Sequence, residues 1–338
     1  MFAFTYHQVM AAFIDFVFPF GKQDSPQDFH FSGLRHEVHL SPDMKALRLV
    51  ELGRSGKDFR MCYNLKSVEP SPSQPHWPWS IRQSAVYHSF DVGTGRAFWT
   101  IIKGNELLNR RIKEATKSLS HGDLSLVRLL SLAFSASLDS HLIIIDWCSE
   151  SWRWYINYLD EAQESTTRRA LLISFDRPAK QLCKLPQRAA TSPPSNRIKR
   201  TISRFKQRAA SATGMLTTTV PLRTLSPPVP PPEFEQDLNN NESFSFNDLQ
   251  QVQHYQEKIN EALLVLRSNM KILTNIKQYY RSLLISGDFP KEIKDGSAKQ
   301  INHFQSSIDN TINDLEMQQS RAEMLLSTVT NRKNMVNI

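Results

Sequence analysis

Apolar residues recur every seven positions along the last third of this chain. Over 248–284, Val252, Ile259, Leu266, Leu273 and Tyr280 keep that spacing, with Leu263, Met270 and Leu284 in a companion row. Over 298–333, Ile301, Ile308, Leu315, Ala322 and Val329 repeat it, joined by Phe304, Leu325 and Leu326. Such a repeat lays one apolar stripe along a helix, and the stripe must find a partner. The intervening loop carries Gly287, Pro290 and Gly296, so the two helices can fold back on one another. Ser245, three residues before Asp248, is a capping-box-like start for the first of them.

Residues 1–175 show shorter patterns. Strands are expected over 46–52, 59–68, 84–91 and 96–103, the last two joined by Val92-Gly93-Thr94-Gly95 as a hairpin turn. Asn105 can cap a helix carrying Leu108, Ile112, Ala115 and Leu119. Asp123 can cap another that is apolar nearly all round, from Leu124 to Phe134, and so belongs inside. The run 141–146 fits a strand or a helix end. Ser149 is placed to cap a helix bearing Trp152, Tyr155, Ile156 and Leu159. Residues 2–20, with Val9, Phe13, Phe16 and Val17, suit one amphipathic helix docked on a core.

The expected fold class is therefore α+β: a mixed β-sheet domain packed with helices over 1–175, followed by a long antiparallel, stalk-like hairpin over 244–338. Between them, 176–243 holds clustered prolines, many Ser and Thr and few apolar residues. A stretch of that composition buries too little surface to offset chain entropy and is expected to be disordered.

Composition sharpens one point only. The chain has 338 residues and a net charge of +8, but 177–232 contains eleven Lys or Arg and no acid, leaving the remainder at −3. The basic character thus belongs to one segment. The three cysteines, Cys62, Cys148 and Cys183, form no CxxC pair, which speaks against a disulfide framework and suits a reducing compartment. No uninterrupted run of eighteen apolar residues occurs.

Candidate chemistry is sparse. His30, His36 and His39 fall close together with Glu37 between, and Cys62 can join them as a zinc set, but the tight ligand spacing of such sites is missing and solvated or core-edge histidines are favoured. Trp77-Pro78-Trp79 near Arg82, and Trp147, Trp152, Trp154 near Arg153, can form a base-stacking surface or simply pack a domain edge. The segment 197–208 offers Arg197, Lys199, Arg200, Arg204, Lys206 and Arg208, with Ile198, Ile202 and Phe205 at helical spacing. It suits an anionic membrane surface, nucleic acid or an acidic partner as well as a solvated tether. Ser192, Ser203 and Ser226 are phosphorylation candidates there, and 225–233 reads as a polyproline ligand or a stiffener. No P-loop, dinucleotide, zincin, nucleophile-elbow or EF-hand pattern is found, so no catalytic or cofactor-binding residue is assigned and an enzyme is not expected.

Several strings carry a resemblance. Tyr6-His-Gln-Val-Met10, Phe13-Ile-Asp-Phe-Val-Phe-Pro-Phe-Gly21, Cys62-Tyr-Asn-Leu-Lys-Ser-Val-Glu69, Trp77-Pro-Trp-Ser-Ile-Arg-Gln83 and Trp152-Arg-Trp-Tyr-Ile-Asn157, then Phe244-Ser-Phe-Asn-Asp-Leu-Gln250 and Asn313-Asp-Leu-Glu-Met-Gln-Gln319, look like fungal proteins with a CorA-like transporter domain. The resemblance implies the cytosolic domain of CorA-type magnesium channels followed by a stalk. In that family the stalk leads into two membrane spans, the first ending in Gly-Met-Asn, and neither appears before Ile338. The expectation is a truncated, non-catalytic, cytoplasmic protein without a pore. It would act by self-association or by joining intact CorA-like subunits, and reach a membrane only in that company or if the chain continues. Magnesium enters through the resemblance alone, and no metal ligand is carried over. The alternative is nucleic-acid or anionic-membrane binding through 197–208.

Overall fold

The computed structural model describes residues 2–21, 31–41, 43, 46–71, 77–103, 106–116, 126–175 and 246–336. Four strands, β1 (Leu34–His39), β2 (Asp58–Pro70), β3 (Trp79–Asp91) and β4 (Ala97–Ile102), form a meander in the order β1-β2-β3-β4 that is antiparallel throughout. The α+β class holds. β2 and β3 pair along their whole length, from Asp58↔Asp91 to Pro70↔Trp79. The β3–β4 turn lies where the glycines suggested. Gly95 has φ +72° and donates to the Asp91 carbonyl, and a Cβ there would come 2.9 Å from Leu130.

Both faces of the sheet are covered. Phe59, Met61, Tyr63 and Leu65 of β2 and Val86 and Phe90 of β3 join the large core shared with the helices. Cys62, Ala85 and Tyr87 face Met10, Phe13 and Phe16 in a second, smaller cluster. The N-terminal segment therefore docks on the sheet as expected, but as α1 (Phe2–Tyr6), α2 (Phe13–Val17) and a 3₁₀ turn at Phe18–Phe20 rather than one helix. Gln8, at φ 49°, breaks the helical path.

Two strand expectations change. Residues 46–52 make no strand: only Leu49 bridges to Arg54, a 3₁₀ turn follows at Val50–Leu52, and Leu47 and Val50 are exposed. Their alternation had no face to bury. β1 was not foreseen, because Arg35, His36, Glu37 and His39 leave little apolar pattern. An edge strand needs backbone pairing more than side-chain burial, and charge protects such an edge.

α3 (Glu106–Thr116) matches expectation, α4 (Leu126–Ser149) absorbs the run 141–146, and α5 (Trp152–Phe175) follows. The caps Asn105, Asp123 and Ser245 lie outside the described residues. Ser149 does not cap α5. It ends α4, its hydroxyl donating to the Asp146 carbonyl, while Ser151 turns the chain at φ +67° and its carbonyl accepts from Trp154 and Tyr155. Nor is the start of α4 buried all round, since Leu126, Val127, Leu129 and Leu132 are exposed. The buried length begins at Ser131 and Phe134, where Phe289 packs on Phe134 at 5.4 Å.

The last two long helices are α6 (Phe246–Ile285) and α8 (Ala298–Val336), joined through the short α7 (Lys291–Gly296). With 40 residues, α6 spans roughly 60 Å. The antiparallel register is marked by Lys277 with Asp309 and Arg267 with Glu323. These pairs are solvent-screened and worth about 0–1 kcal/mol each. The apolar seam matters more. Val252, Ile259, Leu266, Leu273 and Tyr280 are buried, as are Ile301, Ile308, Leu315, Ala322 and Val329. Their partners are each other together with α4, α5 and β2, so one continuous core runs from the sheet into the hairpin. Met1–Phe175 and Asn241–Ile338 form one compact unit.

A buried polar residue, Asn269, ties hairpin to sheet. Asn269 sits on the α6 stripe, between Leu266 and Leu273, and meets β2 beyond the end of β1. There its Oδ1 accepts from Lys66 N at 3.1 Å, and its Nδ2 donates to the Lys66 carbonyl at 2.6 Å. The amide continues the ladder that β1 leaves off. Asn269→Leu keeps the volume but strands two buried backbone groups, and is expected to lower the unfolding free energy in urea by about 2–4 kcal/mol. Ser268→Ala on the exposed face should change it by less than about 0.5 kcal/mol.

Candidate functional site

Among the described residues, three gatherings of polar side chains are candidates for a functional site. The first is buried where sheet, α4 and hairpin converge. Tyr63 OH lies 2.8 Å from His141 Nδ1, and His141 Nε2 lies 3.2 Å from His88 Nδ1. His88 stacks on Trp99 at 4.1 Å, while Tyr280 and Phe304 pack against the His141 ring. Both imidazoles are fully buried, and His88 Nε2 has no hydrogen-bond partner among the described residues. Burial alone holds His141 down to about 3. Burial and then its neighbour His141 hold His88 well below the ordinary histidine range. Both rings are neutral, and the chain of contacts packs the interior.

The second place is a cleft of about 150 Å³ at the turn end of the sheet, walled by His7, Leu52, Arg54, Asp58, Ser89, Asp91, Arg96, Ala97 and Phe98. His7 stacks on Phe98 at 4.3 Å. Buried Asp58 accepts from Arg60 at 2.9 and 3.1 Å and lies 2.9 Å from His39 Nδ1. The third is the outer surface of the hairpin.

The histidine set does not assemble. His36 packs on Tyr279 at 4.5 Å, and burial lowers its affinity for a proton. His39 pairs with Asp58 instead, and Glu37 lies 3.9 Å from Arg60. Cys62 is buried in the N-terminal cluster, its thiol pushed up to about 12 chiefly by burial. Alternation along β1 sends neighbouring side chains to opposite faces. His30 lies outside the described residues, among which no group of three or more His, Cys, Asp or Glu is placed to hold a metal ion.

The two tryptophan strings do come together, as packing. Trp77 meets Tyr158 at 5.5 Å and His254 at 5.1 Å, and Trp79 meets Tyr155 at 5.9 Å. Trp154 remains exposed, with Arg153 over its ring at 5.5 Å. Cys148 is a buried, free thiol. Cys183, the basic cluster from Arg197 to Arg208, Ser192, Ser203, Ser226 and the polyproline run all lie outside the described residues.

Sequence reasoning missed Asn269, the His88–His141 pair and the cleft. The first two left a signal: one polar residue on an apolar stripe, and a histidine inside each of two apolar runs. The cleft left none, because its walls come from three separated segments.

The histidine pair makes the fold acid-sensitive. As pH falls through about 6.5, the unfolded chain takes up protons that the folded chain refuses. The stability this contributes is complete above that pH and lost below it, at about 1.4 kcal/mol per pH unit for each histidine. In urea titrations between about pH 6.5 and pH 4.5, the slope of stability against pH should flatten by one proton in His141→Leu and by two in the double variant with His88→Leu.

A search of curated proteins finds no match. The family model for CorA-like transporters matches residues 1–171, which takes in the whole sheet, α3, α4 and nearly all of α5. With half of its length matched, the chain belongs to the CorA-like transporter family.

Proposed function

We propose that this chain is a non-catalytic CorA-like protein that works by association, either with copies of itself or with intact CorA-like subunits, rather than by conducting ions alone. The observation that carries this reading is the outer face of α8. Asn310, Met317, Met324 and Asn331 recur there every seven residues, with Ser306, Asn313, Ser320 and Ser327 in the companion row. All are exposed and none is charged, although α8 carries acids and bases on its flanks. Depletion of charge with retention of methionine is the mark of an interface centre, and small side chains let helices approach closely. The inner stripes cannot serve, since the fold itself buries them. Members of this family form oligomers, which supports association in general.

The family is membrane-associated. Among the described residues, the one stretch long and apolar enough to cross a bilayer, Leu126–Thr167, is half buried inside the protein and reads better as core helices. The reading is therefore of a cytoplasmic domain brought to a membrane by its partners, with magnesium as the cargo of the assembly. Light scattering at tens of micromolar should report an oligomer. Met317→Glu with Met324→Glu should give a monomer with unchanged helical circular dichroism. A wild-type monomer under those conditions overturns self-association, and failure to co-purify with an intact CorA-like channel overturns the other arm.

A second reading rests on the eleven basic residues and no acids between 177 and 232. Binding to anionic vesicles or nucleic acid through Arg197–Arg208 should collapse with added salt and vanish on deletion of 190–210. Binding that survives the deletion excludes this reading.

A further inference from the structure

The cleft at the turn end of the sheet has a surplus of donors. Four donors converge on the Asp91 carboxylate: Ser55 N at 2.6 Å, Ser55 Oγ at 2.8 Å, Gly93 N at 2.9 Å and Thr94 N at 2.9 Å. Asp58 is held by Arg60 and His39. Both acids on the wall are thus committed to the protein, and Arg60 gives its remaining Nη1 to the Gln8 carbonyl at 3.2 Å.

The other two guanidiniums are differently placed. Arg96 donates to the Leu52 carbonyl at 3.1 Å and lies flat over Gly53, where any Cβ would fall 2.2 Å from its Nη1. Gly53 sits at φ +62°, so both its backbone and its bareness make room for this arginine. Arg54 lines the cleft, and its Nη1 is buried with no acceptor among the described residues. A buried guanidinium donor without an acceptor is an unusual state, and an oxygen-bearing anion would relieve it. His7 and Ser89 add two more donors on the same wall.

We propose that this cleft binds a small free tetrahedral oxyanion of the phosphate or sulfate class, between Arg54 and Arg96 and against His7 and Ser89. A cation has no free carboxylate oxygen to claim. An organic ligand needs a cavity of about 300 Å³ or more, whereas this one is about 150 Å³. The bound ion would tie the N-terminal segment, the 52–54 turn and β4 together, so occupancy should stabilise the folded chain by mass action.

The test is calorimetric titration and thermal unfolding of the full chain with inorganic phosphate, against potassium chloride at matched ionic strength. Saturable binding and a rise in Tm with phosphate alone are expected. Arg54→Gln and Arg96→Gln should each weaken binding by about tenfold or more, while Ser268→Ala leaves it unchanged. Glutamine preserves most of the side-chain length, and circular dichroism of each variant verifies its fold. If a variant unfolds, Arg54→Lys replaces it and should show intermediate affinity. Because the basic cluster 197–208 is a competing candidate for phosphate, binding must persist after deletion of 190–210. Loss on that deletion, undiminished binding in the arginine variants, or no binding by the wild type overturns the proposal.

Discussion

The burial of the α6 stripe against β2 on one side and α8 on the other is the constraint on which the rest of the fold depends. A four-stranded antiparallel sheet with a short edge strand cannot bury its long central strands unaided. A two-helix hairpin cannot hide two seven-residue stripes by itself when each also carries flanking apolar residues. Each supplies the surface that the other lacks, and the shared core through Phe59, Tyr63, Tyr280 and Phe304 is the result. Asn269 sets the register of this contact. Its amide fits the N–H and C=O that β2 presents at Lys66, on the side that β1 vacates.

Burial on both faces of the sheet also explains where the polar groups go. Side chains that would reach water in a half-exposed sheet are enclosed, and each needs a partner within reach. Lys66 gives its ammonium to the Phe31 carbonyl at 2.8 Å and the Ser32 hydroxyl at 2.7 Å, and burial brings its proton affinity down to about 8. Trp147 donates to Glu69 at 2.9 Å. The histidine pair stays neutral because neutrality is the less costly state in an apolar core.

The same packing redistributes the candidate surfaces. An apolar stripe that looks available in sequence is spent inside the molecule, and the face proposed for a partner is an uncharged, exposed row of Asn, Ser and Met on the opposite side of α8. The proposed association through such a row would rely on close backbone approach and amide hydrogen bonding more than on apolar area.

Periodicity alone was enough to place the long helices within a few residues, to pair them antiparallel, to locate the β3–β4 turn at its glycines, and to indicate an α+β class. Those features are local, and each residue’s neighbours in sequence are the ones that decide them. β1 and the turn at 50–54 were illegible because their reasons lie elsewhere: an edge waiting for β2, and an arginine lying on Gly53. Likewise, no spacing in the chain announces that Asn269 will answer Lys66, or that His7, Arg54 and Arg96 will share one cleft. Side chains separated by tens to hundreds of positions acquire a common chemistry only when the core that unites them has formed.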